Sequence, residues 1–310
     1  MWQTQTDRVT GRGHQRQGMP CQDRVLSMER NGVTAIALAD GAGSAALSHE
    51  GAECAVQAVC ELLCENFDAL FSAQSSAEVR HFLLSGVRDR IRERARELNA
   101  ECGQLACTLL AVAVRGDAYL LFHVGDGVIG YRKSGKLLVA SAPQNGEFAN
   151  TTTFVTSPDA LMHSRALRGV QPRIEGFFLM SDGCEAALYH KGKRKLAPLI
   201  SKPFLRLQLL SSGTSQEMLE AVMERIIAKR TQDDCSMALL VKNAGRSGMW
   251  SRMTPRDRAS ILGIATGNRN RRRRAIRQYA KAYGAEAVRQ NEKGKETAGC
   301  LLKQGKKGAR

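Results

Sequence analysis

Three apolar runs in this chain end in the same two residues: ALADGAGS (Ala37 to Ser44), FHVGDG (Phe122 to Gly127) and FLMSDG (Phe178 to Gly183). A strand that stops on an acid followed by glycine admits two readings. Asp-Gly is a common hairpin-turn dipeptide, because both central residues of a type I′ turn need positive φ. Alternatively, the strand ends hold carboxylates on stiff, paired backbone, and the glycine lets main chain or solvent come close to whatever they bind. A fourth acidic pair, Asp233 and Asp234, opens the last apolar run, Cys235 to Val241. If these strands are neighbours, the acids converge. An oxygen-only cluster without His or Cys favours a hard cation, Mg2+ or Mn2+.

The elements around these acids follow from periodicity. Val33 to Asp40 reads as a buried strand, with Val25 to Glu29 as its hairpin partner across Arg30-Asn31-Gly32. His49 to Phe67 and Ala77 to Glu101 carry apolar residues at helical spacing. Leu105 to Val114, Ala118 to Val124 and Val128 to Arg132 read as three strands of a meander linked by Arg-Gly-Asp and Gly-Asp-Gly turns. A further strand is expected at Ile174 to Ser181, a helix over Ser215 to Lys229, and a last strand at Cys235 to Val241. Strands and paired helices with antiparallel links predict an α+β layered sandwich.

No apolar run reaches the roughly 18 to 20 residues that cross a bilayer, and the polar N-terminus has no signal-peptide core. A cytoplasmic setting is therefore expected. The nine cysteines form no CxxC pair and sit mainly inside apolar patterns, so they read as reduced core thiols. Charge is uneven. Of the net +16, +14 comes from Gly245 to Arg310, where 18 Lys and Arg face 4 Asp and Glu. Residues 1–244 are thus a near-neutral domain, and 245–310 a basic tail in which a helix is expected over 269–290. Arg271, Arg272, Arg273, Arg274 and Arg277 are candidate anion-binding residues for nucleic acid or another polyanion, an anionic membrane surface being the next choice. A P-loop-like GYRKSGKL (Gly130 to Leu137) ends in Leu where a hydroxyl is needed, and lies in an expected hairpin.

Taken in order, Gln22-Asp23, Asp40-Gly41, the GQLACTL segment, Gly125-Asp126, Ser181-Asp182-Gly183 and Asp233-Asp234 resemble the metal-dependent protein phosphatases of the PP2C (PPM) class, in particular their second bacterial subfamily. The resemblance covers roughly Gly11 to Lys242. It implies a four-layer α-β-β-α sandwich, two antiparallel sheets flanked by helices, with a two-metal site at one end that hydrolyses phosphoserine and phosphothreonine in proteins. In such a site two cations about 3.5–4 Å apart activate a water for in-line displacement at phosphorus. By resemblance, Asp40 bridges two Mn2+ or Mg2+ ions, the Gly41 carbonyl ligates one, Asp182 and Asp233 ligate the other, Asp126 serves a third, weaker position, and Asp23 orients the attacking water. A monomer is expected.

Three positions depart from the pattern. Gln22 replaces a common Glu, Ala42 stands where many relatives carry His, and Gly18 stands where a phosphate-holding Arg is frequent, leaving His14 and Arg16 as nearby substitutes. Gln22 and Ala42 match the style of the second bacterial subfamily. They also motivate a rival reading, a phosphoprotein-binding scaffold with weak turnover. A second rival makes the basic tail the main functional part, associated with nucleic acid.

Overall fold

Every residue of Val33–Ala39 is buried. A strand without a polar face must be covered on both sides, and that requirement sets the architecture. The computed structural model describes residues 1–143, 152–209, 216 and 219–243. Along the chain come β1 (Trp2–Val9), α1 (Arg12–Gln17), β2 (Arg24–Arg30), β3 (Val33–Ala39), α2 (Ser48–Ser72), α3 (Ser76–Glu97), β4 (Leu109–Arg115), β5 (Ala118–Val124), β6 (Val128–Lys133) and β7 (Lys136–Ser141). Then follow α4 (Ala160–His163), β8 (Arg165–Val170), β9 (Ile174–Met180), α5 (Glu185–Leu188), β10 (Tyr189–His190), β11 (Lys195–Leu196), α6 (Ser201–Leu209) and β12 (Cys235–Lys242).

Two five-stranded antiparallel sheets run in the orders β2-β3-β4-β5-β8 and β1-β12-β9-β6-β7. Between them, Ile36, Leu38, Leu110, Val112 and Leu121 of one sheet pack with Ile129, Phe177, Leu179, Ala238 and Leu240 of the other. Alternate residues of the first sheet, including Ala35, Ala37 and Phe122, share an outer cluster with Val56, Val59 and Leu63 of α2 and Leu83, Val87 and Ile91 of α3. The second sheet turns Phe178, Met180, Met237 and Leu239 toward Phe204 and Leu207 of α6 and toward Met223 and Ile227. This is the α-β-β-α sandwich the sequence predicts.

The expected β2–β3 hairpin closes at Asn31 (φ 55°) and Gly32 (φ 72°), both with the positive φ of a primed turn. The meander is a correction. β4 and β5 pair, but β6 pairs with β7 and β9 in the opposite sheet. Gly125, at φ 110°, turns the chain across the sandwich, so Gly-Asp-Gly is a crossover between sheets and not a hairpin turn. In the 215–229 stretch, residues 219–222 are helical, Met223–Ile227 form a π turn and Ala228–Arg230 a 3-10 turn. The segment before residue 10 forms β1, an edge strand on β12. Its polar, mostly half-buried residues gave no apolar signal.

The described residues belong to one compact unit, Met1–Asn243. The basic tail, its expected helix at 269–290 and Arg271 to Arg277 lie outside the described residues. None of the described helices is long and apolar enough to cross a membrane.

Candidate active site

The strand ends that carry the acids are tied to other segments before any side chain is considered. The Asp40 N–H donates to Thr108 Oγ1 (2.9 Å), the Thr108 N–H donates to the Asp40 carbonyl (2.8 Å), and the Ala42 N–H donates to Ala106 (2.9 Å). The GQLACTL segment is therefore the clamp that holds the end of β3. On the other sheet, the Ser181 N–H donates to the Ser236 carbonyl (3.1 Å) and the Ser236 N–H to Ser181 Oγ (3.0 Å), which joins the end of β9 to the start of β12.

Gly41, Gly127 and Gly183 all lie outside the positive-φ region. The turn reading of Asp-Gly fails at all three positions. Close approach explains two of them plainly: a Cβ on Gly183 would lie 1.9 Å from the Asp234 carbonyl, and one on Gly41 would lie 2.8 Å from Ser48. Each glycine lets its acid sit against a neighbouring segment.

The charge of Asp182 bears on the buried Asp40 carboxyl, so the two acids face each other across the strand ends. Burial, then the charges of Asp23 and Asp182, keep the Asp40 carboxyl well above the usual range. Asp182 is raised by burial and by Asp126, and its Oδ1 is buried without a partner. Asp23 is fully buried, and burial pushes it up to about 7, with Asp234 adding to the rise. The Ser236 and Ser181 hydroxyls lower it, yet neither Asp23 oxygen has a hydrogen bond of good geometry. Asp233 is exposed, and its charge acts on both Asp40 and Asp182. Asp126, whose charge acts on Asp182, accepts from Thr152 Oγ1 (2.6 Å). Asp23, Asp40, Asp126, Asp182 and Asp233 thus form one electrostatically linked group.

Asp234 plays another part. It is buried and accepts the N–H groups of Gly11 and Gln22, both at 2.6 Å, while His14 Nδ1 lies 3.0 Å away. His14 accordingly faces a carboxylate, and Arg16 is exposed on the same short helix. Gln22 is buried, held through its backbone by Asp234. Ala42 packs with Ala45, Ala106 and Phe154.

Sequence reasoning missed Glu185 and Lys191. Glu185, three residues past Asp182 and buried, binds Lys191 Nζ at 2.6 Å, and the charges of Asp126 and Asp182 act on both. The i, i+3 spacing of Asp182 and Glu185 was the available signal. The reach of Lys191 back across the α5 turn was not visible in sequence.

The donor chemistry fits a hard cation. Five carboxylates are gathered where burial and neighbouring charge raise Asp23, Asp40 and Asp182, and three buried oxygens of Asp23 and Asp182 find no donor among the described residues. Positive charge is what such a group lacks. Among the described residues, no three His, Cys, Asp or Glu side chains converge tightly enough to ligate one ion as they stand.

Residues 10–224 match the family described as Protein phosphatase 2C. A curated relative, the serine/threonine-protein phosphatase 3 of Escherichia coli (strain K12), is 23% identical over 258 residues, 77% of this chain and 97% of the relative. Among solved structures, a bacterial serine phosphatase superposes with a TM-score of 0.56 at 12% identity, covering 78% of this chain and 98% of that one. The S. agalactiae serine/threonine phosphatase gives 0.53 at 18% identity, covering 78% and 99%. By class this is a protein serine/threonine phosphatase. The chain belongs to the protein phosphatase 2C family.

Proposed function

We propose that the chain hydrolyses phosphoserine and phosphothreonine in proteins by direct attack of water, with Mn2+ or Mg2+ held by Asp40, the Gly41 carbonyl, Asp182 and Asp233 and a weaker position at Asp126. The gathering of Asp23, Asp40 and Asp182 at the strand ends, with three carboxylate oxygens buried and unpartnered among the described residues, carries this reading, because such a group keeps its charge only with added positive charge. When bound, such ions neutralise the carboxylates, polarise the phosphoryl oxygens and lower the pKa of water.

The protein's own residues supply position. Thr108 fixes Asp40 at the end of β3, and the Ser181–Ser236 link fixes Asp182 beside the β12 entry. Asp23, with two free buried oxygens, accepts hydrogen bonds from the attacking water and sets its direction. Thr152 donates to Asp126 and holds it in place.

The test is hydrolysis of 4-nitrophenyl phosphate and a phosphoserine peptide with Mn2+ and with excess EDTA, beside calorimetric titration of Mn2+. Turnover is expected only with metal, and Asp40→Asn and Asp182→Asn are each expected to lower it by at least about a hundredfold while weakening Mn2+ binding. Asp126→Asn should keep the tighter Mn2+ binding and lose part of the rate. Equal hydrolysis in EDTA would rule the metal assignment out.

A further inference from the structure

The hairpin formed by β10 and β11 exposes Lys191, Lys193, Arg194 and Lys195 within five residues, and the site chemistry does not account for them. It is held firmly at its base. Tyr189 lies in the buried cluster of the second sheet, Tyr189 pairs with Leu196, and the Ala197 N–H donates to the Leu188 carbonyl at 2.7 Å. At the tip, Lys193 N–H donates to His190 Nδ1 (3.3 Å) and Arg194 adopts φ 47°. A hairpin with two-residue strands anchored in this way presents its side chains in a fixed place.

What it presents is charge without partners. Lys191 is neutralised by Glu185. Lys193, Arg194 and Lys195 are all exposed, and among the described residues none of their side chains has an ion-pair or hydrogen-bond partner. The hairpin also starts at the site. Lys191 binds Glu185, which opens α5 directly after the Asp182–Cys184 turn, so the hairpin that carries the three free cations begins beside the carboxylate group.

We infer that the hairpin at Tyr189–Leu196 is a docking element for acidic residues flanking the phosphorylated side chain, so that the preferred substrates are phosphopeptides with Asp or Glu close to the phosphate. The inference rests on the phosphatase reading for the placement of the phosphate at Asp40 and Asp182. Lys193, Arg194 and Lys195 put three exposed positive charges on one anchored hairpin, and such a cluster attracts an acidic peptide flank. Exposed pairs are individually weak, so three together amount to roughly tenfold in affinity at low salt, and the effect fades as salt rises.

The test uses the full-length chain throughout, so that the basic tail is common to every variant. Fluorescence anisotropy measures binding of labelled phosphoserine peptides whose flanks are acidic, neutral or basic, at low and high salt. The variant Lys193→Ser/Arg194→Asn/Lys195→Ser removes the charge, with Asn chosen because it tolerates the left-handed backbone. Lys193→Glu/Lys195→Glu reverses it. Wild type should bind the acidic-flanked peptide about tenfold more tightly than the neutral one at low salt, the charge-removed variant should lose that preference, and the reversed variant should favour the basic flank. Turnover of 4-nitrophenyl phosphate with Mn2+ should stay within about twofold in both.

Retention of the acidic preference by the charge-removed variant overturns the inference, as does loss of single-stranded oligonucleotide binding with peptide binding unchanged. A fall in aryl phosphate turnover as large as the fall in peptide binding also overturns it, since that marks the hairpin as structural. If wild type shows no metal-dependent aryl phosphate turnover, the phosphatase reading fails, and the anisotropy series still decides the hairpin on its own.

Discussion

Asp234 organises more backbone than any other carboxylate of the site. It takes the N–H groups of Gly11 and Gln22, which belong to opposite ends of the α1 segment, and so fastens that segment over the start of β12. Asp234→Ala leaves both N–H groups buried without an acceptor, and should lower stability by about 2–4 kcal/mol in urea denaturation, with early proteolytic release of residues before Asp23. Loss of activity without loss of stability would instead place Asp234 among the metal-holding residues. His123 gives a second prediction of opposite chemistry. It is buried between Ser141 Oγ (2.7 Å) and the Gly125 carbonyl (3.0 Å), and burial, then Arg165, pull its pKa down to about 3. Its ordinary value in the unfolded chain is about 6.5. Above that value it is neutral in both states. Below it the unfolded chain takes up the proton and the folded one resists, so stability falls as pH drops from about 6.5 toward 3. One unit below 6.5 the loss is roughly 1.4 kcal/mol. The stability difference between pH 7.5 and 5.5 should therefore be smaller in His123→Gln than in wild type, and an equal difference would count against a neutral buried His123.

At the scale of elements, close approach between α2 and the residues before β4 is the feature most sensitive to one methyl group. Gly→Ala inside a helix ordinarily stabilises by about 0.5–1 kcal/mol. In α2 a Cβ on Gly51 would lie 1.9 Å from the Leu105 carbonyl, whereas in α3 a Cβ on Gly86 would meet only the end of the Leu62 side chain at 2.7 Å. Gly51→Ala should thus destabilise by roughly 1–3 kcal/mol through backbone displacement, and Gly86→Ala should change stability by less than about 1 kcal/mol. Equal midpoints in chemical unfolding would contradict this packing of α2. The same contrast explains what could be read beforehand. β3, β9 and β12 lie in the middle of their sheets, covered on both faces, so their apolar runs announced them. β1 and β8 are edge strands with mixed burial, and β10 and β11 have two residues each, so neither composition nor periodicity marked them. The sheet to which β6 belongs was hidden for another reason: alternation reports a strand's faces but not its neighbour, and the choice was made by the backbone at Gly125. In the site, the acids at strand ends were legible because a repeat exposed them. The Thr108 clamp on Asp40 and the Ser181–Ser236 link join segments distant in sequence, which no local pattern reports, and the Glu185–Lys191 pair closes across the α5 turn.

For the whole molecule, the question is whether turnover and basicity reside in separable parts. Every proposed metal-holding residue lies in the unit Met1–Asn243, while 14 of the 16 net positive charges come from residues 245–310. The unit closes on itself where it ends: the Asn243 N–H donates to the Met1 carbonyl at 2.9 Å, and β12, the last strand, is fully paired between β1 and β9. Both neighbours of β12 thus lie within the unit. Removal of residues 245–310 should leave a folded protein whose Mn2+-dependent turnover of 4-nitrophenyl phosphate stays within a few-fold of full length. Retention on heparin is a different matter. The remaining +2 cannot hold a polyanion firmly, so the truncated protein should pass through at low salt, while the full chain elutes only as rising salt screens its charge and removes the gain from counterion release. Persistent heparin binding after truncation would shift the polyanion contact to the β10–β11 hairpin, and combining the truncation with Lys193→Ser/Arg194→Asn/Lys195→Ser would then abolish it. Loss of folding or of metal-dependent turnover on truncation would show that residues beyond Asn243 complete the phosphatase unit, and the boundary drawn at 244 would have to move.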